Sequence, residues 1–356
     1  MDKNRFSQIV KDKKIYIYGA GNNGVKMFHI LEEQGYTIEA FMDQKATKNT
    51  SFLLGKHVLK PFPCEDSNSC VIVSIFNYHT NLEEILSFLK DLGFVSVLSY
   101  LDFTQCFYPQ IGDSFWLTHT DSYPAEPKNF ESIFQDQLSC ETYCQIIEAR
   151  KTNNVHLLPR ANTNLTQYFP KDIPLNECHN FVDVGAFTGD TIESLVRRFP
   201  SLENYIAFES DLENFRLLSE EANKHASELK HSILYPCALW NKNELLQFNA
   251  GEAGGSCIKE NGSVMVQAVA LDSILQGIPI DYIKMDIEGA EYPALIGAKK
   301  TICEQKPDLA ICLYHRPEDL FRIPLLIASW NLGYSFYLRQ HYYCGFDLVL
   351  YAIVQK

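Results

Sequence analysis

Residues 180–191 read NFVDVGAFTGDT. An apolar run closes on Asp183, and Gly185 and Gly189 follow four residues apart. A strand that ends in an acid, turns through glycines and resumes at helical spacing in TIESLVRRF is the start of a β–loop–α unit. Open α/β sheets bind ligands at this end of their strands.

The wording of the loop limits the ligand. A dinucleotide fingerprint needs GxGxxG directly after the strand, so that pyrophosphate rests on the helix N-terminus. Here a carboxylate stands beside more widely spaced glycines. Asp183 would repel pyrophosphate, but it can attract the ammonium and sulfonium end of S-adenosylmethionine. The glycines let the backbone approach a ligand closely. The next strand, NYIAFES, ends at Glu209, 26 residues after Asp183. An acid there can accept both hydroxyls of a ribose, a device that NAD enzymes share.

Outward from this loop, strand and helix alternate. Strands are predicted at 181–184, 205–209, 232–237, 281–286 and 308–314, and helices at 190–199, 212–225, 290–303 and 317–331. YSFYLRQ and DLVLYAIV predict a closing hairpin on a mostly parallel sheet. LLQFNAG and SVMVQAVAL predict an inserted β-hairpin around GEAGGSC, whose Gly254, Gly255 and Ser256 read either as a plain turn or as the border of an acceptor pocket. Before residue 179 lie two further regions. Residues 1–102 read as a small Rossmann-like α/β domain. Residues 103–178, rich in proline and aromatics with one helix near 129–151, read as a connector to the domain at 179–356.

FVDVGAFTGDTIESL, AFESDLENFRLL, VQAVALDSIL, YIKMDIEGAEYPALIGAKKTI and CLYHRPEDLFRIPLLI together resemble the FkbM-type methyltransferases. QYFPKDI (167–173) is similar to their lead-in segment, so the resemblance spans roughly residues 130–356. It implies an α/β class I fold of seven strands with the last antiparallel, S-adenosylmethionine as cofactor, and mostly O-methylation. It also implies roles. Asp183, Gly185 and Gly189 match the first cofactor motif. Glu209 matches the ribose-binding acid, with Asp211 nearby, and Ala238 stands where backbone groups meet adenine. Asp286 closes the fourth strand, facing the methyl group, and His315 closes the fifth.

Methyl transfer is an in-line displacement with a neutral leaving group, so alignment supplies much of the rate, up to about 7–11 kcal/mol of effective molarity. A hydroxyl acceptor must also lose a proton. Asp286 and His315 are the expected catalytic residues. His315 has the better intrinsic pKa for a base, and Asp286 is expected to orient acceptor or cofactor. Glu288 and Glu291 read as acids favouring a helix N-terminus. The spacing of Asp286, Glu288 and His315 fits no metal signature, so no metal is expected. Tyr168 reads either as a cofactor-stacking ring or as packing.

A second glycine loop, YGAGNNG (18–24), follows the strand KIYIY. Gly19, Gly21 and Gly24 fit GxGxxG, and Asp43 lies 24 residues past Gly19. This suits a nucleotide. The stretch IYIYGAGNNGVKMFHILEEQGYTIEAFMD resembles the small Rossmann-like domains that bind NAD or nucleotide sugars. The alternative function is therefore an NAD- or nucleotide-sugar-dependent enzyme, or a non-catalytic nucleotide-sugar binding module. No hydride-transfer constellation accompanies the loop. Its glycines could equally serve only tight helix–sheet packing.

Composition narrows the partners. Net charge is −13, from 31 basic and 44 acidic residues, and no basic cluster offers a nucleic-acid footprint. An acidic surface repels anionic membranes. Eleven scattered cysteines without a CxxC pair suggest reduced thiols in a cytoplasmic protein. The expected partner is a small-molecule or carbohydrate acceptor, with oligomeric state left open.

Overall fold

The computed structural model describes residues 2–46, 51–107, 110, 127–152, 154–161, 166–249, 257–258, 262 and 264–354. The chain divides into two units. The first comprises Met1–Tyr123, Cys144–Ala161 and Tyr342–Phe346, and the second Pro124–Tyr143, Asn162–His341 and Asp347–Lys356. The segment 103–178 thus contributes to both.

In the first unit the strands are β1 (Lys14–Tyr18), β2 (Ile38–Met42), β3 (Phe52–Leu53), β4 (Lys56–Leu59), β5 (Ser69–Val73) and β6 (Ser96–Leu98). They form one sheet in the order β3-β4-β2-β1-β5-β6. All pairs are parallel except β3 with β4. KIYIY and SCVIV read as continuous apolar runs because helices cover both faces of a parallel sheet. Helix Leu82–Asp91 buries Leu82, Leu86 and Leu89, and the Asn81 side chain caps it by accepting from the Glu83 amide. The short β3–β4 hairpin was not legible in the sequence, being two to four residues a strand.

In the second unit the strands are β7 (Asn180–Val184), β8 (Asn204–Phe208), β9 (His231–Tyr235), β10 (Ala238–Leu239), β11 (Glu244–Asn249), β12 (Cys257–Ile258), β13 (Val264–Val269), β14 (Tyr282–Met285), β15 (Asp308–Cys312), β16 (Ser335–Gln340) and β17 (Leu348–Ile353). Seven of them make a sheet in the order β16-β17-β15-β14-β7-β8-β9. The run from β15 to β9 is parallel, and β17 enters antiparallel between β15 and β16. This is the mixed seven-stranded α/β architecture that the sequence predicts. The strand order reverses at β7 and β14, and a crevice opens at the carboxyl ends of strands at such a point.

The inserted hairpin is also present: β11 pairs antiparallel with β13 in a separate sheet of order β10-β13-β11-β12. Gly254, Gly255 and Ser256 lie outside the described residues. The helix expected over 290–303 is two helices, Glu291–Gly297 and Lys299–Gln305, meeting at Ala298. Gly297 marks the break. A Cβ there would lie 2.0 Å from the Trp240 carbonyl oxygen, so only glycine allows this approach. Beneath the sheet Phe169, Phe181, Phe199 and Tyr282 pack ring against ring at 5.3–6.3 Å between centroids. Burying each such ring contributes about 1.5–3 kcal/mol. Tyr168, one residue upstream of Phe169, is held by its amide, which donates to the Tyr351 hydroxyl at 3.1 Å, and by its carbonyl, which accepts from the Tyr282 hydroxyl at 2.5 Å.

Candidate functional site

The loop after β7 is held from below by a buried ion pair. Asp183 and Lys284 are register partners on β7 and β14, and Lys284 Nζ lies 2.9 Å from Asp183 Oδ1. Both side chains are almost wholly inaccessible. Tyr205 donates its hydroxyl to Asp183 Oδ2 at 3.0 Å, and Lys284 Nζ donates to the Gly185 carbonyl at 2.6 Å. Burial alone would lower the Lys284 pKa, but the carboxylates of Asp183, Asp286 and Asp190 outweigh it and raise it. The charge of Asp183 is thus already matched by a neighbour the sequence reading did not single out. Its signal was a lone lysine inside the apolar strand YIKM.

Gly185 adopts φ +77, and a Cβ there would stand 1.9 Å from the Asp286 carbonyl oxygen. Gly189 adopts φ +85 against Glu221 and Ile192. Backbone conformation favours glycine at both positions, and at Gly185 the space demands it as well. Between them Phe187, itself at φ +47, is 38% exposed. Its amide donates to Glu209 Oε2 at 2.9 Å, while the Asp211 amide donates to Oε1 at 2.7 Å. Burial pushes Glu209 up to about 7 against the pull of those two amides. Asp211 caps helix Leu212–Lys224, accepting from the amides of Glu213 and Asn214. Ala238 lies in β10, paired with Ala268.

Asp286, the first residue past β14, receives the Tyr168 hydroxyl on Oδ2 at 2.7 Å and the Tyr314 hydroxyl on Oδ1 at 3.3 Å. Burial pushes its pKa up, yet His315, Lys284 and Tyr168 together hold it below the ordinary value. Tyr168 is buried at φ +67, and Lys284 Nζ sits 5.1 Å from its ring centroid, a cation–π contact. Gln167 donates both to the Tyr168 hydroxyl at 3.0 Å and to Asp347 Oδ1 at 2.7 Å. Tyr168 thus packs and also reaches the site through its hydroxyl. Burial drives Asp347 up to about 7.

His315 is enclosed by carboxylates. Nδ1 lies 2.8 Å from Glu291 Oε1, and Nε2 lies 3.4 Å from Asp286 Oδ1 and 3.5 Å from Glu288 Oε2. Burial would lower its pKa, but Glu291 and Glu288 raise it well above the ordinary value. The residue that the sequence reading expects as a base thus stands among three carboxylates. Glu291 is wholly buried and accepts from the Ile287 amide at 2.9 Å, so it both closes the turn and faces His315.

The first glycine loop carries its own explanation. A Cβ on Gly24 would lie 2.1 Å from the Gly19 carbonyl oxygen, and one on Gly19, at φ +109, would lie 2.6 Å from Ser74 Oγ. Gly21 has open space around it. Asp43 accepts from the Ala20 amide at 3.0 Å and the Lys45 amide at 2.8 Å. The carboxylate is bonded to the glycine loop itself.

No helix among the described residues is long and apolar enough to cross a membrane. Residues 183–336 match the family model of the methyltransferase FkbM domain. No curated protein sequence matches the chain. Among solved structures, the crystal structure of methyltransferase FkbM from Methylobacillus flagellatus KT superposes with a TM-score of 0.75 at 18% identity, over 99% of this chain and 94% of that one. At that identity the likeness is one of fold. The resemblance of this chain to the FkbM-type methyltransferases, first carried by five short motifs, is thereby shown, in sequence over residues 183–336 and in fold along the whole chain.

Proposed function

We propose that the second unit is an S-adenosylmethionine-dependent methyltransferase acting on a hydroxyl of a sugar or other small molecule. The observation that carries this reading is the pairing of Glu209 with the glycine loop. Two backbone amides orient its carboxylate at the carboxyl end of β8, and each oxygen keeps a lone pair for a ribose hydroxyl. The residues fit the cofactor. Gly185 and Gly189 give the loop the left-handed turns that shape it, Glu209 would hold the ribose, and Ala238 would border the adenine. When bound, the cofactor supplies an electrophilic methyl group on a sulfonium with a neutral leaving group.

The residues of the chain do the rest by positioning. The two tyrosine hydroxyls hold Asp286 as an oriented carboxylate, able to accept a hydrogen bond from an acceptor hydroxyl and align it. Alignment of this kind accounts for several kcal/mol of a bimolecular barrier. Calorimetry with S-adenosylhomocysteine, NAD and a nucleotide sugar tests the reading. Binding of S-adenosylhomocysteine that weakens at least about tenfold in Glu209→Gln is expected. Tight NAD binding without S-adenosylhomocysteine binding would transfer the function to the first glycine loop.

A further inference from the structure

We propose that Asp286, Glu288 and His315 form a divalent-cation site, with Glu291 as the residue that orients His315. One donor atom from each of the three lies within 4.8 Å of the others. The decisive feature is the imidazole. Its Nδ1 faces Glu291 Oε1 at 2.8 Å, and Glu291 is fully buried. The His315 side chain is 6% exposed. Its Nε2 is buried, points between two carboxylates at 3.4 and 3.5 Å, and meets hydrogen-bond geometry with neither.

That arrangement is the one a metal-binding histidine needs. A carboxylate takes the proton-bearing nitrogen and turns the other nitrogen toward the ion. Cation–ligand bonds of about 2.1 Å at octahedral angles separate adjacent donors by about 3 Å. The two Nε2–carboxylate distances need close by only a few tenths of an ångström. Glu288 reinforces the point. It holds φ +54 next to Gly289 at φ +92, a conformation that costs a non-glycine residue of order 1 kcal/mol or more. Two carboxylates and one imidazole suit Mn²⁺ and its neighbours over a soft thiolate-seeking ion. Three protein donors leave further positions for oxygen ligands. The site stands on these residues alone; only its use toward an acceptor oxygen rests on the methyltransferase reading.

Mn²⁺ titrated into the EDTA-treated full chain, followed by the EPR signal of the free ion, is expected to show one bound ion per chain. Glu288→Gln and His315→Ala are expected to weaken it at least about tenfold, and Glu291→Gln by about 10–100-fold through lost orientation. No Mn²⁺ bound by the folded chain at about millimolar ion overturns the site, as does binding that these variants leave unchanged. If His315→Ala does not fold, the isosteric Glu288→Gln decides, with circular dichroism as the fold control. S-adenosylhomocysteine binding without Mn²⁺ binding overturns the cation site and leaves methyl transfer standing. Mn²⁺ binding without S-adenosylhomocysteine binding does the reverse.

Discussion

Asp183 and Lys284 are neighbours in register on adjacent parallel strands, with their charges 2.9 Å apart and both hidden from water. Removing one partner of a buried pair leaves an uncompensated charge, which costs about 3–5 kcal/mol. Lys284→Met is expected to destabilise by about that much and to loosen the loop through the lost bond to the Gly185 carbonyl. Asp183→Leu combined with Lys284→Met should recover a large part of the loss. Chemical denaturation of the two single variants and the double variant measures the coupling. Additive effects would show that the pair is not a unit.

The two glycine loops should respond differently to a single methyl group. Gly185→Ala must place Cβ against the Asp286 carbonyl at φ +77, so a loss of at least about 2 kcal/mol is expected, with S-adenosylhomocysteine binding abolished. Gly21→Ala meets open space and forfeits only a helix N-cap glycine, about 1 kcal/mol or less. Thermal melts of both variants, with ligand binding on whatever folds, provide the comparison.

Cofactor affinity should titrate with Glu209. Its carboxyl, pushed up to about 7 by burial, accepts ribose hydrogen bonds best when ionised. Affinity for S-adenosylhomocysteine is therefore expected to fall as pH drops below 7, by at most about tenfold per pH unit, and to level off above about 8. Glu209→Gln should bind weakly and without that slope. A flat wild-type profile from about pH 5.5 to 8 would remove Glu209 from the ribose.

Asp319 offers a stability test that needs no ligand. It is wholly buried, neither carboxylate oxygen has a hydrogen-bond partner, and burial, with Glu291 nearby, pushes its pKa up to about 8. A folded pKa above the unfolded value favours the protonated form in the fold. Stability is therefore full at low pH and declines as pH rises from about 4 to about 8. Asp319→Asn should melt at least about 2 °C above the wild type at pH 8.5, and the gap should close near pH 4. An equal gap at both pH values would mean that the carboxyl is not the cause.

Much of this site was legible because its residues sit where strands end. Asp183, Glu209, Asp286 and His315 each follow an apolar run, and the period of a buried strand fixes where such a run stops. What escaped the sequence are partners brought in from elsewhere. Tyr168 reaches Asp286 across 118 residues, which no local spacing encodes. Lys284 gave only the faint sign of a charge within an apolar strand. Glu291 read as an acid favouring a helix start, which captures its bond to the Ile287 amide but not its hold on His315. The surroundings of His315 escaped for the same reason. The intrinsic pKa of a histidine is local knowledge, whereas its three carboxylate neighbours come from another strand's turn.

The division of the chain has a consequence for truncation. The first unit owns not only the N-terminal segment but also Cys144–Ala161 and Tyr342–Phe346, whose Ala149 and Cys344 belong to its hydrophobic core. Tyr342–Phe346 runs directly into Asp347, the residue that Gln167 binds beside Tyr168. No single cut of the polypeptide therefore yields two self-contained pieces. A fragment meant to carry either unit alone has to be assembled from separate stretches of the chain.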